Sequence, residues 1–138
     1  MSKVIKGGTV LTADRSYTAD VKIDGGIISE IGDNLSGDEI IDASSCYVMP
    51  GGIDPHTHLE MPFMGTTTAE TWESGTFAAL SGGTTTIIDM IVPDERGLLV
   101  ALDEWLERAN RQASCDFGVH MSIKEWSEEI FKEMSDVV

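Results

Sequence analysis

Cysteine is nearly missing from this chain. Only Cys46 and Cys115 occur in 138 residues, far apart and without a CxxC pair. That excludes a disulfide framework and a zinc site built on thiolates. Both sit in apolar runs and read as reduced, buried thiols. Bases are scarce too: nine Lys and Arg against 24 Asp and Glu give a formal net charge of −15. So acidic a chain is repelled by nucleic-acid backbones and by anionic membrane surfaces, and neither is an expected partner. No stretch reaches the ~18 apolar residues of a membrane span, and the opening MSKVIKGGTV has no apolar core for a secretion signal. A cytoplasmic location is the expectation. What is present, 41% hydrophobic and 24% charged residues, suffices for a packed core rather than disorder.

Residues 1–50 read as short strands and tight turns. Val4-Ile5-Lys6 meets Gly7-Gly8 and resumes at Thr9, the pattern of a two-residue hairpin turn. Ala19–Ile23 alternates polar and apolar, turns through Asp24-Gly25-Gly26 and continues as Ile27–Ile31. Glu39–Ala43 follows a polar loop. The expectation is an antiparallel β module with one wet face.

From residue 51 the pattern becomes strand, helix, strand, helix, strand, helix, the mark of right-handed βαβ units and a parallel sheet. Thr67-Thr68-Ala69-Glu70 reads as a capping box, followed by an apolar stripe of Trp72, Thr76, Phe77, Ala79 and Leu80 that ends at Gly82-Gly83. Thr84–Val92 is a β-branched strand expected to be covered on both faces. Leu98, Leu99, Leu102, Trp105, Leu106 and Ala109 share one helix face, with acids largely opposite. Phe117–Ile123 is the third strand, and Trp126, Ile130, Phe131, Met134 and Val137 return to helical spacing. The fold class is α/β. A (β/α)8 barrel needs ~250 residues, and three β/α units are countable here. With Val138 falling inside an apolar stripe, the expectation is a truncated chain.

The chemistry-bearing stretch is Gly51-Gly52-Ile53-Asp54-Pro55-His56-Thr57-His58-Leu59-Glu60-Met61-Pro62. Alternation along a strand sends Asp54, His56 and His58 to one face. Two imidazoles on neighbouring same-face positions can reach one ion at Zn–N distances of ~2.0–2.1 Å. Asp54 could orient an imidazole through its other ring nitrogen, and the glycines permit close backbone approach. The competing reading is a pair of ordinary histidines without a metal. Two ligands are not a site, since catalytic zinc takes about three. His120, in a strand, reads as a core histidine hydrogen-bonded to backbone. Asp89 interrupts an apolar strand and must be paired or lie near its end; a structural hydrogen-bond role outweighs a site role.

The order PGGIDPHTHLEMPFMGT, then ESGTFAALSGGTTTIID, then CDFGVHMSI closely resembles the dihydropyrimidinase/D-hydantoinase family of the amidohydrolase superfamily. VIKGGTVLTAD and ADVKIDGGIISEIG are similar to its opening. The resemblance implies that residues 1–50 form part of a β-sandwich, and that residues 51–138 are the first three β/α units of a metal-dependent hydrolase TIM barrel. It implies a binuclear zinc centre with His56 and His58 on one ion, a carbamylated lysine, further histidines and an aspartate downstream of Val138, and no catalytic residue within the chain itself. Met61, Phe63 and Met64 fall where the family has a loop lining the substrate pocket. The implied activity is hydrolytic opening of a cyclic amide, a dihydropyrimidine or a 5-substituted hydantoin, by a homo-oligomer (tetramer). The alternative is a non-enzymatic dihydropyrimidinase-related scaffold, which would have no use for the two histidines.

Overall fold

Strand β1 (Ser2–Leu11) is the spine of the first of two units in the computed structural model, which describes residues 1–137. The units divide at Pro50 and Gly51. β1 pairs antiparallel with β2 (Ser16–Asp24), and β2 antiparallel with β3 (Ile27–Gly32). On its other side β1 pairs parallel with β4 (Glu39–Asp42) and then β5 (Tyr47–Val48).

Two expectations for this unit are corrected. Gly7-Gly8 is not a hairpin turn: β1 runs through it, with a register shift between Ile5 and Gly8 and Gly7 at φ +72°. A glycine in the left-handed region absorbs the extra residue as a bulge. The module is also not purely antiparallel. Asp20 accepts the backbone N–H of Leu35 at 3.0 Å, and Lys6 Nζ donates to the Leu35 carbonyl at 3.2 Å. These bonds carry the 33–38 loop across the sheet, so β4 arrives parallel to β1. The Gly25-Gly26 turn is found as expected, with φ of +58° and +80°. Val10, Ala19 and Val21 form this unit's core, while Ile27, Ile28, Ile31, Ile40 and Ile41 are exposed. Cys46 is exposed and Cys115 half-buried, so neither is the fully buried thiol expected.

The second unit has a parallel sheet in the order β10-β9-β6, built from β6 (Gly52–Thr57), β9 (Thr84–Ile91) and β10 (Asp116–Met121). A small hairpin of β7 (Pro62–Phe63) and β8 (Thr66–Thr67) follows β6. The connections are α1 (Trp72–Ser81) and α2 (Leu98–Gln112), and α3 (Glu128–Val137) comes last. The capping box of α1 lies four residues later than expected. Thr71 accepts the Ser74 N–H at 3.0 Å and Ser74 Oγ accepts the Thr71 N–H at 3.0 Å, because Thr67 is used in the hairpin. Helix α2 buries Leu98, Ala101, Trp105 and Ala109, one face at i, i+3 and i+4 spacing.

These side chains join Leu59, Trp72, Ile87 and Ile91 in one core. Along β9 only Ile87, Asp89 and Ile91 are fully buried, and Ile88 and Met90 are half-buried. Both helices pack on the same face of β9, so the two-sided cover expected of it is absent among the described residues. Phe77 of α1 points to solvent rather than into the expected stripe, as do Trp126 and Phe131 around α3. Phe117, Val119 and Met121 lean on the core, which puts His120 on the other face of β10, exposed rather than buried as expected. Val138 lies outside the described residues. Among those residues no helix is long and apolar enough to cross a membrane.

Candidate metal centre

The close seating of β6 on β9 begins at Gly51. A Cβ there would stand 2.6 Å from the Thr85 Cβ and closer still to its Oγ1 and Cγ2, so only glycine lets the strands meet. The ladder is then interrupted between Asp54 and Thr57, around Pro55, which has no N–H to donate. At this irregularity the rings of His56 and His58 converge edge to face, with centroids 4.8 Å apart and planes at 79°. Their Nε2 atoms are 3.0 Å apart.

His56 is exposed and His58 half-buried. His58 Nδ1 is buried without a hydrogen-bond partner. Asp54 accepts the backbone N–H of His56 at 3.2 Å, so its carboxylate braces the chain at His56 rather than bonding to a ring.

These residues fit two corners of a metal site. Two nitrogens ~2.0–2.1 Å from one tetrahedral ion stand ~3.3 Å apart, close to the separation found. The orphaned His58 Nδ1 marks an imidazole whose bonding capacity the surrounding protein does not meet. Two corners are all: among the described residues no group of three or more His, Cys, Asp or Glu could hold an ion.

The chain on either side of His58 is tightly held. Asp89, fully buried in the middle of the sheet, accepts from Thr57 Oγ1 at 2.8 Å and from the Leu59 N–H at 2.9 Å through one oxygen. Its other oxygen accepts the Trp105 indole N–H at 2.8 Å. The carboxylate that interrupts an apolar strand therefore has three donors, two on one oxygen and one on the other. Leu59 sits over Gly75 of α1, where an added Cβ would lie 2.5 Å from Leu59 Cδ2. Glu60 is held at φ +50°, its carboxylate 3.6 Å from Arg108, whose guanidinium lies 4.3 Å over the Trp105 ring.

The three residues expected to line a substrate loop are separated. Met61 is buried, its N–H donating to Thr68 Oγ1 at 2.9 Å. Phe63 and Met64 are exposed on the β7–β8 hairpin, where Met64 at φ +49° and Gly65 at φ +79° make the turn. Reasoning from sequence missed the contacts of Trp105 with Asp89 and of Arg108 with Glu60, having read Trp105 as core and Arg108 as part of the opposite polar face. The carboxylate interrupting an apolar strand was the one available signal for Trp105, because a buried Asp needs donors.

A parallel α/β sheet with a histidine pair straddling the C-terminal end of its first strand defines a class, and the chain belongs to the amidohydrolase family, whose model matches residues 47–138. Over its whole length it is similar to D-hydantoinase of Geobacillus stearothermophilus, with 49% identity across 100% of this chain and 30% of that protein. Dihydropyrimidinase of Dictyostelium discoideum is 42% identical over 98% of this chain and 28% of its own length. Among solved structures, one of a D-hydantoinase superposes with a TM-score of 0.95 at 47% identity, covering 99% of this chain and 30% of its own. The dihydropyrimidinase of Brevibacillus agri NCHU1002 gives 0.94 at 43%, with 99% and 30% covered. The chain thus spans under a third of the length of each of these relatives.

Proposed function

We propose that this chain supplies two of the metal ligands, His56 and His58, of a zinc-dependent cyclic amidohydrolase that opens dihydropyrimidines or 5-substituted hydantoins. The carrying observation is the 3.0 Å approach of the two Nε2 atoms at the end of β6. The similarity to proteins called D-hydantoinase and dihydropyrimidinase supports the substrate class. In this reading residues 1–50 contribute to a β-sandwich and residues 51–138 begin a TIM barrel. The lysine, histidines and aspartate expected from the resemblance complete a binuclear centre in the whole protein, a cytoplasmic homo-oligomer.

Zinc held there supplies Lewis acidity and a water activated near neutral pH. The contributions of this chain are positional. His56 and His58 offer imidazole nitrogens from a strand end, and Asp54 fixes the backbone beneath His56. Phe63 and Met64 present apolar surface for the ring substituent, while Met61 anchors their hairpin in the core.

Replacing His56 and His58 together by Ala in the intact protein tests this. Bound zinc per chain falls by at least one ion, and hydantoin hydrolysis falls by several orders of magnitude. Unchanged zinc in the double variant would refute the ligand assignment. A wild-type protein that binds no zinc at all would favour the scaffold reading instead.

A further inference from the structure

We infer that Asp89 is a positioning residue for the histidine pair, setting His58 through the chain on both of its sides. This rests on the reading of His56 and His58 as metal ligands. The geometry is specific. One carboxylate oxygen of Asp89 takes both the Thr57 hydroxyl and the Leu59 N–H, the residues immediately before and after His58. Two-point fixation of that kind, with His58 between two anchors on one atom, sets where its Cα lies and where its ring projects.

Asp89 is in turn fixed by α2. The Trp105 indole N–H bonds its second oxygen, and Trp105 is itself buried with Arg108 stacked on it. Arg108 reaches back to Glu60, two residues past His58. The turn Thr57–Glu60 is thereby bracketed from β9 and α2. Among the described residues His56 supplies the one side-chain hydrogen bond to the His58 ring, so the placement of His58 is inherited from this bracket.

An apolar residue would fill the site of Asp89 at lower desolvation cost if packing were the only need, since a buried carboxylate is expensive unless every lone pair has a donor. Here all the donors come from the histidine turn and from the helix behind it. The device transmits the rigidity of β9 and α2 to a strand whose ladder with β9 is broken around Pro55.

The test uses the intact protein and zinc as the probe. Asp89→Asn keeps the shape but sets an amide donor against the Trp105 N–H, and Thr57→Val removes one anchor at constant volume. Zinc affinity is read by competition with a chelating dye, at a temperature where circular dichroism shows each variant folded. The midpoint of unfolding in excess chelator is recorded alongside. Asp89→Asn is expected to bind zinc about 10-fold or more weakly, within the range of outer-contact losses at metal sites, and Thr57→Val several-fold more weakly. Adding Trp105→Phe to Asp89→Asn removes the opposed donor and is expected to recover part of the affinity. His56→Ala serves as the reference. Wild-type zinc affinity in both Asp89→Asn and Thr57→Val, with binding lost in His56→Ala, would overturn the positioning role and leave the ligand assignment standing. Wild-type affinity in His56→Ala would overturn the assignment itself. Should Asp89→Asn fail to fold, Thr57→Val alone decides, because it removes a single hydroxyl; its undiminished affinity would overturn the proposal.

Discussion

At Gly51 the absence of a side chain has a measurable consequence. The Thr85 side chain, its Cβ included, occupies the space a Cβ would take, and no rotamer of Thr85 moves its own Cβ away. Gly51→Ala therefore pushes β6 off β9. It is expected to lower stability by about 1–3 kcal/mol, the usual cost of overpacking, read as a lower unfolding midpoint in denaturant. A midpoint equal to wild type would show that the strands can separate there freely. The histidines are a different residue-scale case. Alternation alone was enough to place His56 and His58 together, but Asp54, on the same nominal face, turned out to bond the backbone, because the ladder breaks between Asp54 and Thr57.

Elements of the first unit meet at Asp20, which ties β2 to the β1 bulge and to the crossing loop. Its carboxyl is held below the ordinary carboxylate range, first by the Gly7 N–H, then by the Leu35 N–H and the nearby Lys6 charge, against the opposing effect of burial. A carboxyl whose folded value is depressed stabilises the fold above its unfolded value of ~3.9 and loses that contribution as pH falls through the folded value. Asp20→Asn should therefore melt below wild type at neutral pH, with the gap closing as the pH drops below ~4. Thermal melts of both proteins across that range check it. A gap independent of pH would mean that the carboxylate charge contributes nothing to holding β1, β2 and the loop together.

For the whole molecule, a net charge of −15 opposes association while exposed Ile27, Ile28, Ile31, Ile40 and Ile41 favour it. Which effect wins depends on screening, since the Debye length falls from ~30 Å at 0.01 M salt to ~3 Å at 1 M. The 138-residue chain is expected to sediment as a smaller species at low salt and to associate as salt is raised. A sedimentation coefficient unchanged by salt would show that the charge is not what keeps copies apart. Because no group of three or more His, Cys, Asp or Glu among the described residues could hold an ion, the same preparation should show no hydantoin hydrolysis at either ionic strength.

What depends on local periodicity was legible in the residues alone. The order of the three parallel strands and the helices after residue 51, the burial of Leu98, Trp105 and Ala109 on α2, the Gly25-Gly26 turn and the HxH pair all follow from side-chain spacing of 2 or 3.6 residues and from turn chemistry, whereas buried Ala101 and the β7–β8 hairpin do not. Only the tertiary structure decided what depends on residues distant in the chain. It made β4 parallel through Asp20 and Leu35, buried Met61 while leaving Phe63 and Met64 outside, turned His120 to the exposed face, and joined Asp89 to Trp105. Periodicity tells which way a side chain points from its own element, but not which partner stands there. Partners are set by packing between elements, and packing is not written into any single stretch of the chain.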